Sequence, residues 1–306
     1  MKITKEVFRI SEPFTISRGS RKLAHVLTVQ AKHNGVKGHG EAVPYARYGE
    51  TLTSVKAQIE TLTNIFTRKE LRDLLPAGSA RNAVECALWD VEAKATSKSV
   101  WELAGLASPI PLITTFTISL DTQEKMRTQT QSNCFRPLLK TKLETPDDMP
   151  RLGACRQGAP LSVNIVDAND GWNAETYAEL APDLLRLEIT VAEQTLPVEN
   201  AEAQLEMERL LPICADESCH DRTSLSKLNS EYYIMNIKLD KAGGLSEAIL
   251  LRDEARRLDY GIMVGCILGS CLEMAPATLI SQGAMITDLD GPLLLAEDRD
   301  IPLIYD

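Results

Sequence analysis

The sequence lacks an excess of basic charge: 33 Lys and Arg stand against 43 Asp and Glu, for a net charge of −10 and a pI near 5.1. A surface of that sign repels phosphate backbones and anionic headgroups, so nucleic acid and membrane are not expected partners. The chain also lacks any apolar run near the roughly 18 residues that a membrane span needs. Met1-Lys2-Ile3-Thr4-Lys5-Glu6 has no apolar signal-peptide core, and no low-complexity segment occurs. Seven cysteines is an odd number, and they show no paired short spacing. Cys86, Cys214 and Cys266 fall inside apolar runs, which reads as reduced, buried thiols and predicts a cytoplasmic location.

What is present is a chain of 306 residues, 44% hydrophobic and 25% charged. That is enough for one large domain and a smaller one. Residues 1–43 read as an antiparallel meander. Val26–Val29 and Gly38–Val43 flank Asn34-Gly35, a strong hairpin signal. Phe14 to Arg21 reads as a loop with a flexible glycine and two guanidinium groups, Arg18 and Arg21. Pro44 to Glu50 reads as a second turn-rich loop. Residues 52–105 show helical spacing, with Val55, Ile59, Leu62 and Phe66, then Val84, Ala87, Leu88, Val91 and Ala95. Asn82 and Glu85 fall on the other face and are expected to be solvated or cap-related; Gly105 is a helix stop. Strands followed by helices make 1–110 an α+β unit.

From 111 onward strand and helix signals alternate. Strands are expected near 112–119, 138–143, 161–167, 186–193, 211–215, 233–239, 261–266 and 286–290. The predicted fold class is α/β: a modified (β/α)7β TIM-like barrel over 111–291, compact enough that one helix is missing or replaced. The stretch 292–306 is expected to return to the first unit.

Polar residues close these strands in register. Lys142, Asp167, Glu193, Asp216 and Lys238 follow one another at steps of 25, 26, 23 and 22 residues. Each step fits one strand, one helix and two short loops. In a parallel barrel the carboxyl ends of the strands converge on one mouth, where chemistry is found. Three carboxylates without a histidine or cysteine suit a hard cation with oxygen ligands, Mg²⁺ first among them. Loop acids near helix starts are the plainer alternative. His220 lies four residues past Asp216 and is expected to stand clear of the site. Lys140 and Lys142 share a strand face. Their mutual repulsion is expected to strip a proton from one of them and leave a base active near neutral pH; otherwise they are two solvated lysines at a strand end. Lys142 on the second strand and Lys238 on the sixth would face each other across a substrate carboxylate held on the cation. One lysine would remove the α-proton and the other return one from the opposite face, through an enediolate.

These segments together with Arg18-Gly19-Ser20-Arg21, Gly38-His39-Gly40-Glu41, Ala215-Asp216-Glu217-Ser218, Asn236 to Gly244, Val264-Gly265-Cys266 and Asp288-Leu289-Asp290-Gly291-Pro292 resemble the enolase superfamily. Within its muconate-lactonizing subgroup the chain is most similar to the dipeptide epimerases, which act on L-Ala-D/L-Glu in murein-peptide recycling. The resemblance implies Lys142 and Lys238 as the acid/base pair, Lys140 against the substrate carboxylate, and Asp167, Glu193 and Asp216 as Mg²⁺ ligands. It further implies Asp288 and Asp290, two apart on the eighth strand, for the dipeptide's ammonium group. Thr117 and Cys266 would line the pocket, the α+β unit would cap it, and Arg18 or Arg21 would meet an acidic side chain. The expected partner is a small dipeptide, and a homo-oligomer is compatible with the resemblance. Two departures stand out. Thr195 follows Gln194 where the family usually has proline, and Lys142 is followed by Leu143-Glu144 rather than Leu-Gly. An o-succinylbenzoate synthase or muconate-type cycloisomerase on the same scaffold is the alternative enzyme reading, and a non-catalytic binding protein is the third.

Overall fold

The computed structural model describes residues 1–306 apart from 63–66, 146–147 and 229–231. It opens with β1 (Lys2–Ile16), β2 (Gly19–His33) and β3 (Val36–Ala42), an antiparallel meander in that order. Asn34 and Gly35 both take positive φ, 48° and 86°, between the paired residues His33 and Val36. That is the turn an Asn-Gly pair favours. The stretch read as a loop around Arg18 is instead a hairpin tip: β1 and β2 pair as far as Ile16 opposite Gly19, leaving only Ser17 and Arg18 to turn.

Three helices follow: α1 (Leu52–Glu60), α2 (Arg68–Leu74) and α3 (Ser79–Thr96), then the short α4 (Val100–Leu103). Thr51 and Ser54 cap α1 reciprocally. Val55 and Ile59 are buried as the spacing predicts, while Leu62 lies past the helix end and Phe66 lies outside the described residues. Helix α3 presses onto β3 so closely that a side chain at Gly40 would strike the Ala83 carbonyl. Asn82 and Glu85 are not solvated. Both are buried and tie α3 to the barrel, Asn82 Nδ2 donating to Asp240 Oδ1 at 2.9 Å and Glu85 Oε2 accepting from the Ser246 amide at 3.1 Å. A helix with polar residues buried toward a second unit looks amphipathic in the wrong direction when read alone.

The second sheet holds eight parallel strands. They are β4 (Phe116–Ile118), β5 (Leu138–Lys142), β6 (Val163–Asp167), β7 (Ile189–Glu193), β8 (Ile213–Ala215), β9 (Ile234–Ile237), β10 (Gly261–Gly265) and β11 (Ile286–Asp288), neighbours in chain order. A parallel bridge between Thr114 and Thr287 joins the last strand to the first, and the sheet closes into a barrel. The connections carry α5 (Gln123–Ser132), α6 (Met149–Gly158), α7 (Ala174–Arg186), α8 (Ala201–Glu206), α9 (Arg222–Leu225), α10 (Leu239–Ala242), α11 (Leu245–Arg257) and α12 (Cys271–Ile280). After β11 only α13 (Gly291–Leu294) follows, in place of a full eighth helix. The tail then runs back: Leu295 bridges Ile10, the Ala296 amide donates to the Arg9 carbonyl at 2.8 Å, and Arg299 pairs with Glu41 at 2.6 Å and Glu6 at 3.0 Å.

The barrel interior sets up the site. Ile165, Val191, Cys214, Ile234, Met263 and Ile286, with Leu138, form one apolar cluster. Side chains two residues apart on a strand share a face. Two residues beyond each of these stand Asp167, Glu193, Asp216, Asn236, Gly265, Asp288 and Lys140. The polar layer therefore rests on a dry one. Two further residues along, β5 and the end of β9 present Lys142 and Lys238. Among the described residues no helix is long and apolar enough to cross a membrane.

Candidate active site

The polar layer lies beneath a cleft of about 750 Å³, open mouth included, between the barrel and the first sheet. Thr117, Lys140, Lys142, Asp216, Lys238, Cys266, Asp288 and Asp290 line it from the barrel. Phe14, Ile16, Arg18 and Arg21 of the β1–β2 hairpin and Tyr45 and Tyr48 of the loop after β3 line it from above. Asp167 and Glu193 belong to the same polar layer but are fully buried and do not reach the cleft wall.

Neither lysine on β5 is solvated: Lys140 is 2% exposed and Lys142 7%. Lys140 Nζ lies 2.8 Å from Asp288 Oδ2, 2.7 Å from Glu193 Oε2 and 3.1 Å from Asp167 Oδ2. Lys142 Nζ donates to Asp167 Oδ2 at 2.6 Å. Across the barrel, Lys238 Nζ donates to Asp216 Oδ2 at 2.6 Å. Burial alone would lower the pKa of Lys140, but Asp288, Glu193 and Asp167 reverse this and hold it well above the usual lysine range. Lys238 behaves likewise, burial being outweighed by Asp216 and Glu193. The repulsion expected to strip a proton from the β5 pair is therefore answered at Lys140 by surrounding acids.

The acids respond in opposite directions. Burial would raise Asp167, yet Lys142 and Lys140 hold it well below the usual carboxylate range. Asp216 is likewise held low by Lys238 and Lys241 against its burial. Glu193 is pushed up to about 7 by burial and by Asp167. Its Oε1 accepts from Asn236 Nδ2 at 2.7 Å, while Oε2 lies 2.7 Å from Lys140 Nζ but outside hydrogen-bonding alignment. Among the described residues no three acids stand as a closed ligand cage; lysine nitrogens face their inward oxygens. The donor set still fits a hard divalent cation. It offers three buried carboxylates on adjacent strand ends, no nitrogen or sulfur donor, one unaligned oxygen, and an acid whose pKa is raised by burial and by the neighbouring negative charge.

Asp288 and Asp290 are both buried, but β11 ends at Asp288, so they are not on one strand as expected. Asp288 is committed to Lys140 and to the Thr115 hydroxyl. Asp290 Oδ2 accepts the Thr117 amide at 2.6 Å, and burial with Asp288 nearby pushes its carboxyl up to about 6. Arg18 is fully engaged. It donates to the Asn169 carbonyl at 2.7 Å, Tyr45 Oη at 2.9 Å and Glu217 Oε1 at 2.7 Å, and lies 3.4 Å from Asp170. Arg47 joins the same Asp170 at 3.0 Å. Arg21 is exposed, stacks 5.1 Å from the Tyr45 ring centre, and among the described residues its side chain makes no hydrogen bond or ion pair. Cys266 is a free thiol in the cleft wall, raised by burial. His220 stands off the cleft, its ring 4.7 Å from Tyr48 and its Nε2 3.2 Å from the Glu217 carbonyl.

Asn236, Lys241 and Glu217 join the site without having been expected there from the sequence. Asn236 could have been found, since it sits two residues before Lys238 on the same face. Lys241, with Nζ 2.5 Å from Asp216 Oδ1, hides in a helix start that looks solvated. Gly265 admits this crowding, because a side chain there would strike Asn236 and Lys238.

A capped barrel whose strand ends bury two opposed lysines among carboxylates is the plan of a barrel enzyme. Residues 1–105 match the mandelate racemase/muconate lactonizing enzyme N-terminal domain, and 122–290 the enolase C-terminal domain-like family. The L-Ala-D/L-Glu epimerase of Escherichia coli is 40% identical over 311 residues, covering 100% of this chain and 97% of that protein. An N-acetyl-D-glutamate racemase from a Pseudoalteromonas species is 42% identical over 274 residues, 88% of this chain and 87% of that protein. An enolase family member from Agrobacterium tumefaciens with homology to dipeptide epimerases, solved with sodium and L-Ala-L-Glu, is 45% identical. It superposes with a TM-score of 0.97 over 100% of this chain and 95% of that one. A dipeptide epimerase from Methylococcus capsulatus, 26% identical with a TM-score of 0.89, was solved with Mg and L-Arg-D-Lys. The chain belongs to the enolase superfamily, in its dipeptide epimerase family.

Proposed function

We propose that this protein epimerises a dipeptide at the α-carbon of its C-terminal residue, with L-Ala-D-Glu/L-Ala-L-Glu as the first candidate pair, and that it depends on Mg²⁺. The observation that carries this reading is the pair Lys142 and Lys238, buried on opposed strands with three carboxylates on the strands between. The similarity to proteins that act on L-Ala-Glu supports the substrate class.

Asp167, Glu193 and Asp216 would hold the cation. Bound there, it would supply positive charge against the second negative charge that develops on the substrate carboxylate as the α-proton leaves. Lys140, kept protonated by its acids, adds a fixed positive charge on the same side. For one epimer Lys142 Nζ takes the α-proton as a neutral amine and Lys238 Nζ, as an ammonium, delivers one to the other face. For the opposite epimer the roles exchange, and each full turnover leaves the two nitrogens with their proton states swapped. Tyr45, Tyr48 and the Phe14–Ile16 edge exclude water above the carbon.

Asp290 is the acid left to meet the substrate ammonium, because Asp288 is already paired. Arg21, not Arg18, has the capacity to meet an acidic side chain: Arg18 is neutralised by Glu217 and clamps the hairpin tip to the loop after β6. Asp290 in the cleft also argues against the cycloisomerase reading, whose substrates carry no ammonium group. A second reading, racemisation of an N-acylated glutamate, is favoured by the engagement of Asp288 and by the racemase relative. One experiment separates them. L-Ala-L-Glu, other dipeptides and N-acetylglutamate are incubated with protein and Mg²⁺ in ²H₂O, and deuterium gain at the α-carbon is read by mass spectrometry. Gain with dipeptides only when Mg²⁺ is present supports the first reading; gain with N-acetylglutamate alone supports the second; gain with neither overturns both.

A further inference from the structure

Gln194 follows Glu193 in a left-handed backbone conformation, φ 37°, which is uncommon for a residue with a side chain. Such a conformation persists only where the surroundings over-determine it. Here every hydrogen-bonding group of the residue is used. Its amide donates to the Cys214 carbonyl at 2.9 Å, and its carbonyl accepts from the Asp170 amide at 3.0 Å. Side-chain Oε1 accepts the Asp216 amide at 2.9 Å and the Ser218 amide at 3.2 Å. Side-chain Nε2 donates to the Leu196 carbonyl and to Ser218 Oγ, both at 2.9 Å. The side chain is fully buried. One residue thus joins the three loops that follow β6, β7 and β8, and those strand ends carry Asp167, Glu193 and Asp216.

We infer that Gln194 is a positioning residue for the cation's ligands: its side-chain amide fixes Asp216 relative to Glu193, and its main chain fixes the Asp167 loop to both. This inference rests on the cation site proposed above. Partners of metal ligands usually account for 10- to 100-fold in affinity when removed. Gln194→Met keeps the length and deletes four side-chain hydrogen bonds. Gln194→Asn suits the left-handed backbone but falls one methylene short, so it separates loss of the amide's reach from backbone strain. Mn²⁺ affinity and the Mn²⁺ paramagnetic resonance spectrum are measured for wild type, both Gln194 variants, Asp216→Asn, and Arg299→Met as a variant destabilised elsewhere; folding is checked by circular dichroism. Both Gln194 variants are expected to bind Mn²⁺ about 10- to 100-fold more weakly with an altered spectrum, and Arg299→Met within twofold of wild type. Wild-type affinity and spectrum in either folded Gln194 variant would overturn the inference. So would an equal loss in Arg299→Met, which would make the effect one of general stability. Wild-type affinity in Asp216→Asn would instead refute the cation site itself, and the inference with it.

Discussion

Asp290→Asn is expected to penalise free-amine dipeptides selectively, and the structure fixes how much and at which pH. A hydrogen bond between two charged partners contributes about 1.5–3 kcal/mol, so kcat/KM for L-Ala-L-Glu should fall about 10- to 150-fold. The N-acetylated analogue, with no positive charge to lose, should fall less than threefold, about 0.6 kcal/mol. Asparagine can still accept the Thr117 amide, so the pocket keeps its shape. The pH profile is a second handle. Asp290 sits near 6 because burial and Asp288 disfavour its charge. Only the ionised form binds an ammonium, so kcat/KM for dipeptides should drop as pH falls through about 6, roughly tenfold by pH 5. An aspartate near the ordinary value of about 3.9 would still be over 90% ionised there. Stability moves the other way. A carboxyl whose folded pKa is raised contributes stability that is fully present below its unfolded pKa and is lost as pH rises through about 6. Two units amount to about 3 kcal/mol. Asp290→Asn should therefore be more stable than the parent at pH 8, by up to about 3 kcal/mol, and no more stable at pH 3. Epimerisation is followed by deuterium incorporation and stability by urea unfolding. Equal losses on free and acetylated substrates, or a flat profile between pH 5 and 7, would refute the ammonium role.

Other outcomes follow from the same geometry. Arg21→Met should collapse the kcat/KM ratio of L-Ala-L-Glu to L-Ala-L-Leu by about tenfold or more, as expected for loss of a guanidinium–carboxylate pair, whereas Arg18→Met should lower both substrates together by loosening the hairpin tip. A collapse of the ratio in Arg18→Met alone would reverse the assignment. Arg299→Met leaves Glu41 buried beside Ser270 without its cation. It should reduce unfolding free energy by about 3 kcal/mol, and a loss under 0.5 kcal/mol would show that Glu41 is neutral in the folded protein.

The barrel and the positions of the acids and lysines at its strand ends were legible because they rest on two strong periodicities. The steps from Lys142 through Asp167, Glu193 and Asp216 to Lys238 count strand-plus-helix units, and the alternation within each strand places those residues inward above an apolar layer. Less legible was anything that depends on which acid pairs with which base. The doublet Lys140 and Lys142 invites an argument from repulsion, yet Asp288, Glu193 and Asp167 close on Lys140 from other strands. Asn82 and Glu85 looked solvated because the face they occupy meets the barrel some 160 residues away in the chain. Arg18 and Arg21 are indistinguishable as letters; only Glu217, brought over from the loop after β8, separates a clamp from a free guanidinium.

The most direct test of the central claim is α-hydrogen exchange by Lys142→Ala and Lys238→Ala, each given the two epimers of Ala-Glu separately with Mg²⁺ in ²H₂O. General acid–base groups of this kind account for about 10²- to 10⁴-fold, so epimerisation should fall by that much in both variants. Each variant should still exchange the α-hydrogen of one epimer, and the surviving epimer should be opposite in the two. Exchange of the same epimer by both variants, or epimerisation at the wild-type rate in either, would contradict a mechanism with one lysine on each face of the carbon.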